Sequence, residues 1–71
     1  MRRAILEALK ARYEAEIAEA DATANIYLEN SVGIGEHPQH IDEVNKQIEK
    51  IAAAREKLDV LEQFEPEKAV L

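Results

Sequence analysis

Apolar residues recur three and four positions apart along two long stretches of the chain, and most residues that break helices lie between those stretches. Both glycines, Gly33 and Gly35, fall in this intervening segment, and Pro38 follows it directly. A three-and-four spacing is typical of helices that bury one face. The pattern predicts helices over about 3–30 and 38–64, a loop at 31–37 and a C-terminal tail at 65–71.

The loop residues favour a chain reversal between antiparallel helices. Gly33 can adopt the left-handed conformation that ends a helix, because it has no Cβ atom to clash. Pro38 suits the first turn of the second helix, where its missing N–H is not needed. A connection this short makes consecutive helices antiparallel. We expect one all-α domain over residues 1–71, an antiparallel two-helix hairpin.

One apolar seam on each helix, meaning a row of residues at three-and-four spacing, is expected to form the hairpin core. With the reversal centred near Ile34, the numbers of facing residues sum to about 68. The predicted core consists of Leu6, Leu9, Tyr13, Ile17, Ala20, Ala24 and Tyr27 on the first helix and Ile41, Val44, Ile48, Ile51 and Leu58 on the second.

A second seam on the first helix contains only alanine and lies opposite the core seam. Its members are Ala4, Ala8, Ala11, Ala15, Ala18 and Ala22. Two helices alone bury little surface, so we expect this seam to join two copies into a four-helix bundle, a homodimer. Alternatively, the alanines serve helix propensity, or the copies meet at the open edge of the hairpin groove. That edge is formed by Ile5, Leu6, Leu61 and Phe64.

Composition and charge remove several classes of function. The chain has no cysteine, which excludes disulfides and thiolate chemistry. Its formal charge of −6 argues against nucleic acid and anionic membranes as partners. No apolar run approaches the roughly 20 residues of a membrane span. We expect a cytoplasmic protein without a cofactor.

The charges are unevenly distributed along the chain. Residues 1–12 carry a net charge of +3, whereas residues 13–45 contain eight acids and no lysine or arginine. An acidic loop end can serve solubility, or it can dock on a basic protein surface.

His37 and His40, the only histidines, lie three residues apart near the start of the second predicted helix. With Glu43 they could bind zinc or nickel. The alternative is that His37 flanks the helix and His40 is solvated. Catalysis has less support, because the chain has one serine, Ser31, and a two-helix fold offers no cleft for acid–base chemistry. We expect the protein not to be an enzyme.

The hexapeptide from Gly33 to Pro38 reads GIGEHP and precedes a helix with an Ile/Val seam. This loop and helix resemble short uncharacterised helical-hairpin proteins encoded by tailed bacteriophages of marine bacteria. The resemblance implies a small accessory protein made in the cytoplasm of an infected bacterium, and it implies no particular activity.

These observations together predict a non-enzymatic protein–protein interaction or scaffold module. One alternative is a small ligand- or metal-binding protein that uses the acidic loop end and the pair His37 and His40. Another is a regulator that binds a host protein.

Overall fold

The computed structural model describes the backbone of residues 1–30 and 37–65, and the side chains of residues 1–29 and 39–65. It contains two helices, α1 over Arg2–Asn30 and α2 over His37–Glu62, which pack against each other. The all-α prediction and the packing of two long helices are therefore confirmed. The predicted loop residues Gly33 and Gly35 lie outside the described residues, and Pro38 lies in the first turn of α2.

The helix ends differ little from those that the sequence predicts. Each helix begins one residue earlier than expected, and α2 ends at Glu62 instead of residue 64. The reason for the early end is a change of hydrogen bonding, because the N–H groups of Gln63 and Phe64 donate to carbonyls three residues back, at Val60 and Leu61. Such tighter turns are common where an α-helix ends.

Contacts at three levels show that the helices are antiparallel. At the open end, the Arg2 guanidinium donates a hydrogen bond to the carbonyl of Phe64.

Further along, the Lys57 ammonium lies 5.4 Å from the centre of the Tyr13 ring. Near the loop, the Tyr27 and His40 rings are 6.0 Å apart. The residue numbers at every level sum to a value close to the expected register of about 68. The molecule is a thin rod with extents of 52 × 19 × 14 Å.

The core between the helices is small. The apolar side chains that are buried are Ala20, Ala24, Ala54 and Leu61, and no large side chain in the described part of the chain is fully buried. The other predicted core residues of α1 are only half-buried, and so are three of α2; these residues are Leu6, Leu9, Tyr13, Ile17, Tyr27, Val44, Ile51 and Leu58. Alanine at the tightest contacts allows the two backbones to approach closely, but it contributes little apolar area.

The prediction for α2 is wrong at two core positions. Ile41 and Ile48 are 70% and 56% exposed, whereas the preceding residues, His40 and Gln47, are each 7% exposed. Because Val44, Ile51 and Leu58 belong to both seams, the helix is rotated by only about half a residue step, roughly 50°, from the predicted orientation. The observed seam consists of His40, Val44, Gln47, Ile51, Ala54, Leu58 and Leu61.

The terminal half of α2 explains this rotation. The predicted seam, continued toward the C-terminus, would place Arg55 and Glu62 against α1, whereas the observed seam places Ala54 and Leu61 there. Burying a charged side chain costs far more than burying a neutral polar one. A straight helix presents the same side to its neighbour along its whole length. The loop half of α2 therefore buries His40 and leaves Ile41 exposed.

Candidate interaction surfaces

The alanine seam of α1 is exposed along its length. All six residues, Ala4, Ala8, Ala11, Ala15, Ala18 and Ala22, are accessible to solvent on the side of α1 that faces away from α2. A row of exposed acids, including Glu7, Glu14 and Asp21, runs along one flank of this seam. The seam is thus available for a contact, and acids predominate along one of its borders, where Glu7 pairs with Arg3.

A groove with mainly apolar walls, which we call the terminal groove, lies at the open end of the hairpin. It has a volume of about 570 Å³, and it is lined by Leu6, Leu9, Tyr13, Ala53, Glu56, Lys57, Val60, Leu61 and Phe64. Three of the four residues that the sequence proposed as an alternative contact, Leu6, Leu61 and Phe64, meet here. The fourth, Ile5, is 50% exposed.

A second apolar groove, the loop-end groove, lies near the other end of the molecule. It measures about 360 Å³ and is lined by Tyr27, Leu28, His40, Ile41, Val44, Asn45 and Ile48. The helical phase of Ile41 and Ile48 places this groove on the opposite side of the hairpin from the terminal groove. Sequence reasoning missed it, because both isoleucines were assigned to the core. The signal that could have found it is the seven-residue spacing of Ile41, Ile48 and Arg55 beside the true seam.

The region around His40 combines polar groups without forming a recognisable metal site. The His40 ring is buried and tilted by 57° against the Tyr27 ring. The Glu43 carboxylate lies 3.2 Å from the Lys46 ammonium. The side chain of His37 lies outside the described residues. Within the described ranges no group of three histidine, cysteine or acidic side chains could hold a metal ion, so no observation favours the metal-binding alternative.

Charged side chains line both long edges where the two helices meet. Two ion pairs lie within single helices, Arg3–Glu7 at 3.4 Å and Lys46–Glu43 at 3.2 Å. Neither pair involves the four exposed residues Lys10, Glu14, Arg55 and Asp59. These four side chains therefore remain available for contacts with a partner.

Neither helix, over the part of the chain that the structure describes, combines the length and the apolar character needed to cross a membrane.

Comparison of the chain with protein-family models, curated proteins and solved structures finds no match. The function must therefore be argued from the surfaces described above.

Proposed function

We propose that the protein is a non-enzymatic protein–protein interaction or scaffold module that acts as a homodimer, in which two hairpins form a four-helix bundle. The main support for this proposal is the small apolar core between the two helices. Among the residues that the structure describes, three of the four buried apolar residues are alanines, while Ile41, Ile48 and Phe64 are at least half exposed. A hairpin with this distribution leaves many of its large apolar side chains exposed to water, and a second copy can cover them.

The accessible surface supports the same conclusion. The chain has a mass of 8.0 kDa and exposes 5678 Å². A compact monomer of that mass exposes about 4,500 Å². The excess of about 1,200 Å² exceeds the roughly 800 Å² that each partner contributes to a stable interface of ordinary size.

The non-enzymatic part of the proposal is supported by the chemistry of the grooves. The terminal groove and the loop-end groove are lined mainly by apolar side chains. The carboxylates along α1, such as Glu14 and Asp21, are exposed to solvent, where acid–base residues are not tuned for catalysis.

The resemblance of the segment Gly33 to Pro38 to proteins of tailed bacteriophages supports a role as a phage accessory protein in the cytoplasm of a bacterial host. We propose this as the biological setting of the homodimer.

The test of the homodimer is the mass in solution over a range of dilution. Light scattering should give about twice the 8.0 kDa chain mass at high concentration, and the melting temperature should rise with concentration, because association stabilises the folded state. A single chain of 8.0 kDa that melts cooperatively at the same temperature at every concentration would overturn the proposal. That outcome would favour the alternative of a regulator that docks on another protein.

A further inference from the structure

We infer that the second copy docks on the side of the hairpin where Leu28, Ile41 and Ile48 are exposed, which we call the stacking face. This contact presupposes the proposed homodimer and specifies its surface and its orientation.

Both helices carry a second heptad series on the stacking face, beside the series that joins them to each other. On α2 the members Ile41, Ile48 and Arg55 follow one another at intervals of seven residues. On α1 the series consists of Glu7, Glu14, Asp21 and Leu28. Seven residues are close to two helical turns, so the members of a series point the same way. They are displaced by about a quarter turn from the side that faces the neighbouring helix, and they therefore point toward a hairpin stacked above.

The loop half of the stacking face is mainly apolar, with Asp21 of α1 as a charged member. Leu28 is 63% exposed, Ile41 70% and Ile48 56%. These three residues line one groove together with Val44, so they form a continuous patch. Helices of four-helix bundles bury a third apolar position beside the two that form a hairpin seam, and the two isoleucines occupy that position on α2.

Two pairs of opposite charges in the terminal half face each other across a two-fold axis that runs parallel to the helices. Such an axis places α1 of one copy over α2 of the other, and the two helices run antiparallel. Residues that lie at the same height within one hairpin also lie at the same height across the two copies. Leu28 then lies over the partner's Ile41, Glu14 over the partner's Arg55 and Lys10 over the partner's Asp59. Leu28 and Ile41 thus meet at one end, and two pairs of opposite charges meet toward the other. The same register places Asp21 over the partner's Ile48 and Glu7 over the partner's Glu62. Because the axis repeats every contact, each charge pair occurs twice.

The other two surfaces suit a second copy less well. The same stacking through the terminal groove places Arg12 over the partner's Lys57, which brings like charges together, and Glu19 over the partner's Lys50, which are opposite charges. An antiparallel contact of two α1 helices through the alanine seam sets the acidic flank against itself, with Glu14 near the partner's Glu14. Like charges at an interface oppose association.

Charge reversal on one helix at a time tests the contact. The first variant is Lys10→Glu with Glu14→Arg, and the second is Arg55→Glu with Asp59→Lys. Both keep the net charge of −6, and both keep an opposite-charge pair four residues apart on the helix, so helix content should not change. Each variant alone should dissociate about tenfold more readily than the natural chain, because its reversed charges face like charges on the partner.

An equimolar mixture of the two variants separates contacts between chains from contacts within a chain. In the mixed dimer the four altered cross-chain pairs have opposite signs again, whereas the altered pairs within each chain stay mismatched. Association of the mixture should return to within about threefold of the natural chain, since four favourable pairs replace four unfavourable ones. A mixture as weak as its components, or variants as tight as the natural chain, would overturn the stacking face.

A matched pair of isoleucine substitutions tests the apolar half. Ile48→Glu should weaken association by about thirtyfold or more, because it places a charge in the centre of the patch. Ile26→Glu is the control, because Ile26 is 58% exposed against 56% for Ile48 but lies on the alanine side of α1. Loss of association on Ile26→Glu alone would assign the contact to the alanine seam and overturn the stacking face.

These outcomes are distinct from failure of the homodimer itself. If the natural chain is a monomer, both the proposed function and the stacking face fail. If it is a dimer that is insensitive to Ile48→Glu, only the stacking face fails.

Discussion

The smallest side chains occupy the tightest places in this molecule. Ala20 on α1 and Ala54 on α2 are each 1% exposed and are the most completely buried of the apolar residues described. A methyl group at these positions permits a close approach of the helices, and any larger group would force them apart. Added volume at Ala20 or Ala54 should therefore destabilise the hairpin, although neither residue is large.

Replacing Ala54 with leucine should lower the free energy of unfolding by about 1–3 kcal/mol, because the added atoms have no space between the helices. Ala53→Leu is the matched control, since Ala53 is the preceding residue and is exposed, and it should change stability by less than about 0.5 kcal/mol. Urea denaturation at one protein concentration measures both. Equal effects of the two substitutions would contradict the observed orientation of α2.

Gln47 is a buried polar residue among apolar ones. It is 7% exposed and lies in the seam between Val44 and Ile51. Gln47→Leu should raise the free energy of unfolding by about 1 kcal/mol, because burial of an amide in an apolar seam costs more than burial of a hydrocarbon. Gln39→Leu, at an exposed position of the same helix, should give no such gain. A loss of stability on Gln47→Leu would show that the amide is needed where it lies.

At the scale of the element, α2 carries two overlapping apolar series that share Val44, Ile51 and Leu58. One series adds Ile41 and Ile48, and the other adds the buried residues His40, Gln47, Ala54 and Leu61. The first series is the more apolar one near the loop, and the second is the more apolar one near the C-terminus. The helix presents the second series to α1 and leaves the first facing outward, which creates the stacking face.

Cysteine pairs can test which series faces α1, because the chain has no natural cysteine. Gln47 and Ile48 both lie at the level of Ala20, but only Gln47 is buried beside it. Ala20→Cys with Gln47→Cys should form a disulfide within the chain under mild oxidation, because both side chains point into the interface. The product is detected by mass and by mobility without reductant.

The matched control is Ala20→Cys with Ile48→Cys. This pair should stay reduced within the chain, because the Ile48 side chain points out of the interface. If it oxidised as readily as the first pair, α2 would have the orientation that places Ile41 and Ile48 in the core.

At the scale of the whole molecule, the rod has little interior. Its narrowest extents are 19 and 14 Å, which is the width of two helices side by side and one helix in depth. A layer one helix thick leaves both of its broad sides open to water. The homodimer that we propose doubles this depth, and it buries Ile41 and Ile48 between the two hairpins.

Ala11→Glu combined with Ala18→Glu should leave the mass in solution unchanged, because both positions lie on the alanine side of α1, away from the stacking face. Light scattering at several concentrations measures the mass, and circular dichroism confirms that α1 stays helical. A mass of a single chain for this variant, with the natural chain dimeric, would transfer the contact to the alanine seam.

The sequence by itself determined the two helices, their ends to within two residues and the register in which they pair. These features depend on local properties: the spacing of apolar residues, the helix breakers clustered in residues 31–38, and the short connection that leaves one direction for the second helix. It also pointed to the terminal groove, because Leu6, Leu61 and Phe64 lie at the open end in any hairpin of this register.

Only the tertiary structure decided which side of α2 faces α1. Both seams fit the periodicity, and their centres differ by a rotation of roughly 50°. The choice depends on the free energy of packing over the whole helix, because keeping Arg55 and Glu62 in water outweighs the cost of burying His40 and Gln47. This orientation leaves Ile41 and Ile48 exposed, and they form the surface on which the proposed contact with a second copy depends.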